Sequence, residues 1–286
     1  MKFIKKSKIL KIFLINSTIL LLYGCSYDGI LNGKGIIATQ QYELLITAFL
    51  IMLLIVIPVI IMTLLFSFLY RSSKKNTNYD PNWNHSKPIE IIVWTIPIII
   101  IFFLAKITWQ STHDLDPKKN IFLEKDKKPI YINVVSLDWK WLFIYPQYNI
   151  ATINEISIPI NVPIIFKITS NSNMNSFFIP SLGSQIYAMA GMKTTLHLIS
   201  NETGVLKGIS ANYSGEGFSG MKFSVISSKN TKTFMQWINK VKKSKKHINN
   251  FYDFKKISVP NQNHNIEYFS SVYSKIFTDI INQFYP

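Results

Sequence analysis

The chain has 286 residues, enough for two ordinary domains, and a formal net charge of +16 at pH 7. A positive net charge of this size can indicate a nucleic-acid partner. Five of the lysines, however, lie in an N-terminal segment that we expect to be removed, and without them the net charge is +11. The remaining lysines belong to a sequence rich in Ile, Asn and Lys. That bias raises charge without selecting a partner, so the composition disfavours nucleic-acid binding.

The N-terminus has the pattern of a lipoprotein signal peptide over residues 1–24. The basic stretch "MKFIKKSKILK" precedes the apolar stretch "IFLINSTILLLYG", and Cys25, the only cysteine, follows at once. The string "LLYGC" resembles a bacterial lipobox, in which Tyr23 is bulkier than the residue usual there, and predicts lipidation with palmitate at Cys25. The alternative is a free, buried cysteine beside a signal anchor. No thiol remains after Cys25, so the exported part contains neither a disulfide nor a thiolate metal site.

Two apolar spans predict a membrane domain over 25–110. Residues 44–70 carry no charge and correspond to about 40 Å of helix, and residues 89–109 form a second span. Because cytoplasmic loops are enriched in cations, residues 71–88 are expected in the cytoplasm, with Cys25 and everything after 110 outside. The charged residues between the spans are Arg71, Lys74, Lys75, Asp80 and Lys87.

A polar linker over 111–128 leads into a region of alternating pattern over 129–228. Short segments with apolar residues at every second position recur there, separated by turn sequences. This pattern predicts an antiparallel β-sandwich or barrel. The clearest apolar faces consist of Ile130, Ile132 and Val134 and of Met221, Phe223 and Val225.

Residues 229–286 form an aromatic-rich region with helical periodicity. Apolar residues recur every three or four positions after Thr233 and again over 266–285, which predicts amphipathic helices. Two interpretations stay open: the helices cover an edge of the sandwich, or they dock on a partner.

The sequence contains no machinery for independent catalysis. It has no phosphate-binding loop, dinucleotide fingerprint or nucleophile elbow, and no two of its five histidines are spaced as a metal-ligand pair. His197 lies between Leu196 and Leu198 and is expected to face solvent. We therefore expect no catalytic residue in this chain.

Three strings carry a specific resemblance: "SLDWKWLFIYP" (136–146), "MNSFFIPSLGSQIYAMAGM" (174–192) and "GISANYSGEGFSGMKF" (208–223). They are similar to subunit II of the cytochrome bo type ubiquinol oxidases, a haem–copper terminal oxidase family. The resemblance covers about 25–286. It implies a two-helix transmembrane hairpin, an all-β cupredoxin-like sandwich over 129–228 and C-terminal amphipathic helices.

Copper-bearing relatives hold two coppers in a loop of pattern C-x-E-x-C-x3-H-x2-M, together with a distant histidine. Only the methionine of that pattern is present here, as Met221, so the resemblance implies that the chain binds no metal. The positions where the other ligands would stand are Asn175 for the distant histidine, Ser210 and Ser214 for the cysteines, Asn212 for the acid and Phe218 for the loop histidine.

The resemblance implies a non-catalytic subunit II of a proton-pumping ubiquinol:oxygen oxidoreductase in the aerobic respiratory chain. Subunit I would carry haem b, haem o, one copper and the ubiquinol site, and this chain would support it and cap its periplasmic face. The expected location is the bacterial inner membrane, with subunit I, the other subunits and membrane lipid as partners. Glu90 corresponds to a proton-path entrance in the superfamily, or is an ordinary interfacial carboxylate. The alternative function is a free-standing exported membrane lipoprotein that binds a small ligand or an envelope partner.

Overall fold

Two long apolar helices form the N-terminal part of the protein. The computed structural model describes residues 29–71, 82, 84–119, 121 and 128–285. Helix α1 covers Ile36–Leu69 and helix α2 covers Lys87–Asp114, so both extend beyond the predicted spans. Both are long and apolar enough to cross a membrane, and only Ile37, Ala38 and Ile100 among their residues are buried in the isolated chain. Their apolar surface therefore has to be covered by lipid or by other chains.

Several sequence predictions concern residues outside the described part of the chain. These are the signal peptide over 1–24, lipidation at Cys25, and three of the charges between the spans, Lys74, Lys75 and Asp80. They stay predictions. The two flanking cations, Arg71 and Lys87, lie at the end of α1 and the start of α2.

Two packed β-sheets follow the helices. One sheet has the strand order β12-β3-β2-β1-β5-β8 and the other has the order β4-β10-β9-β6-β7. The strands are β1 (Ile130–Leu137), β2 (Lys140–Tyr145), β3 (Ile150–Ile153), β4 (Glu155–Pro159), β5 (Ile164–Ser170), β6 (Asn175–Phe178), β7 (Gln185–Ala188), β8 (Thr194–Leu198), β9 (Gly204–Ser210), β10 (Lys222–Ser228) and β12 (Glu267–Phe269). The predicted sandwich is confirmed, but it is not purely antiparallel, because β1 pairs with β5, and β10 with β4, in parallel.

Aromatic rings fill the space between the sheets. Phe177 and Phe223 stack with their centroids 5.2 Å apart and their planes 9° apart, and Trp141 meets Phe177 edge-on at 5.4 Å. Gly208 lies directly under this stack, and a Cβ atom there would come within 2.0 Å of Phe223 Cζ. The face of Met221, Phe223 and Val225 predicted from the alternation is buried, as expected.

The C-terminal region covers the sandwich. Helices α3 (Thr231–Lys242), α4 (Phe251–Ser258) and α5 (Ile276–Asn282) bury their apolar faces in the hydrophobic clusters of the sheets, which favours the first of the two interpretations. The prediction of a helix over 266–285 is wrong for the first half of that segment. Two short strands lie there instead: β12 pairs with β3, and β13 (Ser271–Val272) pairs with β11 (His247–Ile248). Pairing with the sheet edge satisfies backbone groups of β3 that a helix would leave without partners.

The sandwich contacts both membrane helices at their bases. The Lys34 N–H donates to the Ser181 carbonyl at 2.6 Å, and the Lys34 carbonyl accepts from Asn201 N–H at 2.8 Å, one residue before the helix cap. Beyond α2, the His197 N–H donates to the Pro117 carbonyl at 3.1 Å. The start of α1 and the end of α2 therefore lie on the same side, next to the sandwich, as a hairpin requires.

His197 is not exposed to solvent, so that expectation is wrong. The side chain is only 9% exposed, and Nδ1 lies 2.9 Å from the Lys119 carbonyl oxygen. Because a carbonyl only accepts, Nδ1 carries the proton. Pro117 and Lys119 of the linker thus lie against β8 at His197, and alternation along the strand alone does not show that another segment covers this residue.

A buried carboxylate fastens the C-terminal region to the sandwich. Glu155 is 8% exposed, and its Oε1 accepts the Trp237 Nε1–H at 2.9 Å and the Tyr268 O–H at 2.5 Å. Burial and the neighbouring Glu155 carboxylate raise the pKa of Tyr268 above its ordinary range. Lys240 Nζ, 3.3 Å from the Tyr268 oxygen, completes the group. One carboxylate thus joins β4, α3 and β12.

We expect Tyr268→Phe to lower the free energy of unfolding by about 1.5–3 kcal/mol, because it removes a hydrogen bond to a buried, charged oxygen. The matched control is Tyr252→Phe, since Tyr252 is 66% exposed. Denaturant unfolding of the full chain in detergent measures both. Equal stability of the two variants would contradict this role of Glu155.

Candidate functional site

Four segments meet at one end of the sandwich and form the candidate site. They are the β1–β2 turn, the start of β6, the loop of residues 211–221 between β9 and β10, and the C-terminal residues 261–264. The loop includes a short 3₁₀ helix over Phe218–Gly220. All the predicted copper-loop positions lie on β6, at the end of β9 or in the 211–221 loop.

A buried hydrogen-bonded group of polar side chains lies beneath the loop. Asn175 is 2% exposed, and its amide Nδ2 donates to Ser136 Oγ at 2.8 Å. The Ser210 hydroxyl donates to Asn175 Oδ1 at 2.9 Å, and Ser210 N–H donates to the Met221 carbonyl at 3.1 Å. Asn175 and Ser210, which stand for two separate ligands of the copper pattern, are therefore hydrogen-bonded to each other.

Hydrogen bonds and one aromatic contact hold the loop itself. Asn212 Nδ2 donates to the Met174 carbonyl at 3.0 Å and joins the loop to the residue before β6. The Phe218 N–H donates to the Gly215 carbonyl at 3.1 Å, and its ring meets that of Tyr213 edge-on at 5.7 Å. Phe218, at the position of the loop histidine, therefore packs as a hydrophobic residue.

Trp139 packs against the outer part of the loop and explains its glycines. Its indole Nε1–H donates to the Ser214 carbonyl at 3.0 Å. A Cβ atom on Gly217 would lie 2.4 Å from Trp139 Cγ, and Gly215 has a φ of +106°, a region that favours glycine. Trp139 itself has a φ of +65° in the β1–β2 turn. The glycine-rich sequence is thus required by close packing on an indole.

The C-terminal segment closes the side of the site. Gln262 Nε2 donates to Glu216 Oε2 at 3.2 Å, and a Cβ atom on Gly220 would come within 2.2 Å of Asn263 Oδ1. Nothing in the sequence pattern pointed to these contacts, because they join residues more than forty positions apart in the chain.

His264 and Lys140 are the two titratable bases of the site. The side chain of Lys140 donates to the Val259 carbonyl at 2.8 Å, and burial lowers its pKa although Glu267 and Asp138 oppose the effect. Burial, together with the positive charge of Lys140, also lowers the pKa of His264. His264 Nε2 lies 3.2 Å from Glu267 Oε1, and its Nδ1 lies 2.8 Å from Asn261 Nδ2. An amide nitrogen only donates, so Nδ1 accepts from Asn261, whereas Nε2 is buried near Glu267 without a hydrogen-bond partner in the described structure.

The donors at the copper-loop positions do not fit a dicopper centre. Bridging thiolates are the ligands that such a centre requires, and serine hydroxyls and an asparagine amide are hard donors. Met221 is 1% exposed and is a single thioether packed in the hydrophobic core. Among the residues that the structure describes, no group of three or more His, Cys, Asp or Glu could hold a metal ion. We therefore derive no electron transfer through this loop.

The other predicted site residues are Glu90, Ser214 and Cys25. Glu90 is in the first turn of α2, far along the chain from the sandwich, and its Oε1 accepts the Ser86 N–H at 3.2 Å. Ser214 is at the loop, and its hydroxyl has no hydrogen-bond partner in the described structure. Cys25 lies outside the described residues. Ser136 was not among the predicted site residues. Its hydroxyl accepts a hydrogen bond from the Asn175 amide, and nothing in the sequence around Ser136 indicates this contact.

Comparison with known proteins identifies relatives over nearly the whole chain. Residues 146–228 match the family model described as the cytochrome c oxidase subunit II periplasmic domain, and residues 242–286 match the one described as the COX aromatic rich motif.

The similar curated proteins are oxidase subunits. The chain is 62% identical to a cytochrome bo(3) ubiquinol oxidase subunit 2 from Buchnera aphidicola subsp. Schizaphis graminum, over 92% of this chain and 90% of the relative. It is 50% identical to the same subunit from Pseudomonas aeruginosa, over 93% and 78% of the two chains. It is 47% identical to a ubiquinol oxidase subunit 2 from Acetobacter aceti, over 94% and 86%.

We expect the stability of the protein to fall as the pH drops below about 6.5, because a lowered pKa in the folded state means that the unfolded state binds more protons in that window. His264→Gln should make the free energy of unfolding less dependent on pH between about pH 7 and 5. Unfolding in denaturant across that range measures the slope. The exposed His247 gives the control, His247→Gln, and equal slopes for both variants would contradict the assignment.

Proposed function

The chain belongs to the family of cytochrome bo(3) ubiquinol oxidase subunit 2, and we propose that it is a copper-free, non-catalytic subunit II of a proton-pumping ubiquinol:oxygen oxidoreductase. The observation that carries the proposal is the hydrogen-bonded group of Ser136, Asn175 and Ser210, where a copper-bearing relative would need ligands. The hydroxyl and amide groups already satisfy one another, so the loop keeps its shape without a metal.

The loss of a dicopper centre fits a quinol as the electron donor. A dicopper centre on an exported domain receives electrons from a water-soluble carrier, whereas a quinol is dissolved in the bilayer and reaches the membrane-embedded subunit directly. We assign the ubiquinol site, haem b, haem o and one copper to subunit I. The role of this chain is then to support subunit I through its helices and to cap its periplasmic face through the sandwich.

The contacts at the base of the sandwich support the proposed topology. Lys34 before α1 and Pro117 after α2 both hydrogen-bond to the sandwich, whereas Arg71 and Lys87 lie at the opposite ends of the two helices. The excess of cations in the sequence over 71–88 favours a cytoplasmic location for that end. The sandwich is then periplasmic, in a bacterial inner membrane. Cys25, which precedes Gly29 by four positions in the sequence, is proposed to carry a lipid anchor on the periplasmic side.

We propose the following division of the chain. Each boundary lies where the sequence changes from one pattern to the next: from apolar runs to polar residues, then to strand-like alternation, then to helical spacing. The segments are a signal peptide over 1–24, a membrane domain over 25–110, a linker over 111–128, a cupredoxin-like domain over 129–228 and a helical C-terminal region over 229–286.

Glu90 keeps two proposed roles. It lies at the cytoplasmic end of α2, where the mouth of a proton path would be. Its contact with the Ser86 N–H favours the simpler role of a helix cap, since an N-terminal carboxylate satisfies a free backbone donor and complements the helix dipole.

A free-standing lipoprotein is the alternative function. It would need one anchor, whereas this chain has two apolar helices of which hardly any side chain is buried. The second helix therefore favours a membrane partner.

We expect the chain, solubilised from its native membrane in mild detergent, to co-purify with a haem-bearing polytopic protein. The absorption spectrum of the purified material measures the haem. A tagged version with residues 1–110 replaced by an unrelated single membrane anchor is the control and should lose the haem. Migration of the intact chain as a haem-free protein would contradict the assignment.

Restoring the ligands should restore a copper site. The change combines Asn175→His, Ser210→Cys, Asn212→Glu, Ser214→Cys and Phe218→His. We expect a coloured, copper-binding protein, because Met221 and the loop geometry are already present. The matched control carries only Asn175→His, Asn212→Glu and Phe218→His. Because it has no thiolates, it should stay colourless. A folded but colourless five-fold variant would contradict the proposed register of the loop.

A further inference from the structure

A cleft of about 570 Å³ separates the outer ends of the two membrane helices. On α1 its lining residues are spaced three or four apart from Ile36 to Thr47, and on α2 they run in the same way from Ile107 to Asp114. Each set therefore lies on one face of its helix, and the two faces oppose each other. Lys119 and Ile121 of the linker complete the lining.

The cleft lies at the level of the lipid headgroups. A hydrocarbon core of about 30 Å takes up about 20 residues of helix, whereas α1 has 34 residues and becomes free of charge only from Leu44 onward. The outer turns of α1, up to Glu43, therefore extend beyond the core. On α2 the same applies after Lys106, whose long side chain can reach the interface.

The lining of the cleft has more carboxylates than cations. The lining has two carboxylates, Glu43 and Asp114, and one ammonium group, Lys119, so its net charge is negative. Lys119 Nζ pairs with Asp114 Oδ1 at 2.8 Å. Within the described part of the chain, the Glu43 side chain has no hydrogen bond or ion pair. A carboxylate at headgroup level, above the apolar side chains of Leu44 and Ile107, is thus available to a cationic group.

We propose that this cleft binds an aminophospholipid of the phosphatidylethanolamine class. The primary ammonium group donates to the Glu43 carboxylate, the phosphate lies on the side of Lys119, and the acyl chains follow Leu44 and Ile107 into the bilayer. A primary ammonium has three N–H donors, which the quaternary ammonium of phosphatidylcholine lacks. An anionic headgroup such as phosphatidylglycerol brings no cation of its own and would add negative charge to a cleft whose net charge is already negative.

The inference rests on the insertion of the helices in a membrane and is independent of the copper-free loop. The intact oxidase complex, freed of most lipid in detergent, is offered equal amounts of phosphatidylethanolamine, phosphatidylcholine and phosphatidylglycerol. Native mass spectrometry counts the lipids that stay bound. Haem content, measured in parallel, reports the assembly of the complex, so a failure of lipid binding is distinguishable from a failure of the proposed function.

We expect the wild-type complex to retain phosphatidylethanolamine in preference to the other two lipids. Glu43→Gln should weaken that preference about fivefold, the effect of one charge near a membrane surface. Glu43→Lys should transfer the preference to phosphatidylglycerol. The matched control is Glu202→Gln, which removes an exposed carboxylate from the turn before β9 and should change nothing.

Two results would overturn the proposal. One is equal retention of phosphatidylethanolamine and phosphatidylcholine by the wild-type complex. The other is undiminished retention of phosphatidylethanolamine by Glu43→Gln, which would also be the outcome if a neighbouring subunit filled the cleft. Should a variant fail to assemble, the competition among the three lipids in the wild-type complex decides alone.

Discussion

The hydrogen bonds that link Ser136, Asn175 and Ser210 determine the character of the whole site. They join the ends of β1, β6 and β9 beneath the 211–221 loop, so polar side chains hold together what a metal pair would hold in a copper-bearing relative. Each hydroxyl and amide group of these three side chains has a partner, which avoids the desolvation cost of an unpaired polar group, about 1–3 kcal/mol. Trp139 and the loop glycines then fix the outer turn by close packing.

The C-terminal region is part of the same construction. Its strand β12 extends one sheet, its helices pack on the sandwich, and Glu155 joins three elements through two hydrogen bonds from Trp237 and Tyr268. Residues 261–264 also press against the loop. The exported part is therefore a single packed body fastened to the bases of α1 and α2, which suits a subunit that caps and supports a membrane-embedded partner.

Sequence patterns predicted the parts of the fold that depend on local periodicity. The two apolar helices and the buried face of β10 followed from spacing alone. Long-range contacts were not predictable: the strand Glu267–Phe269 has helical spacing but pairs with an edge strand, and His197 is covered by a linker that passes over it. The copper-loop positions came from a family resemblance. The role of Ser136 and the contact of Trp139 with that loop emerged only from the structure.

The central claim is that the exported sandwich of this oxidase subunit carries no copper. Quantifying copper against haem in the purified oxidase complex tests it most directly. The account predicts about one copper for every two haems, all of it retained by subunit I when this chain is dissociated from the complex. Additional copper that travels with this chain would contradict the account.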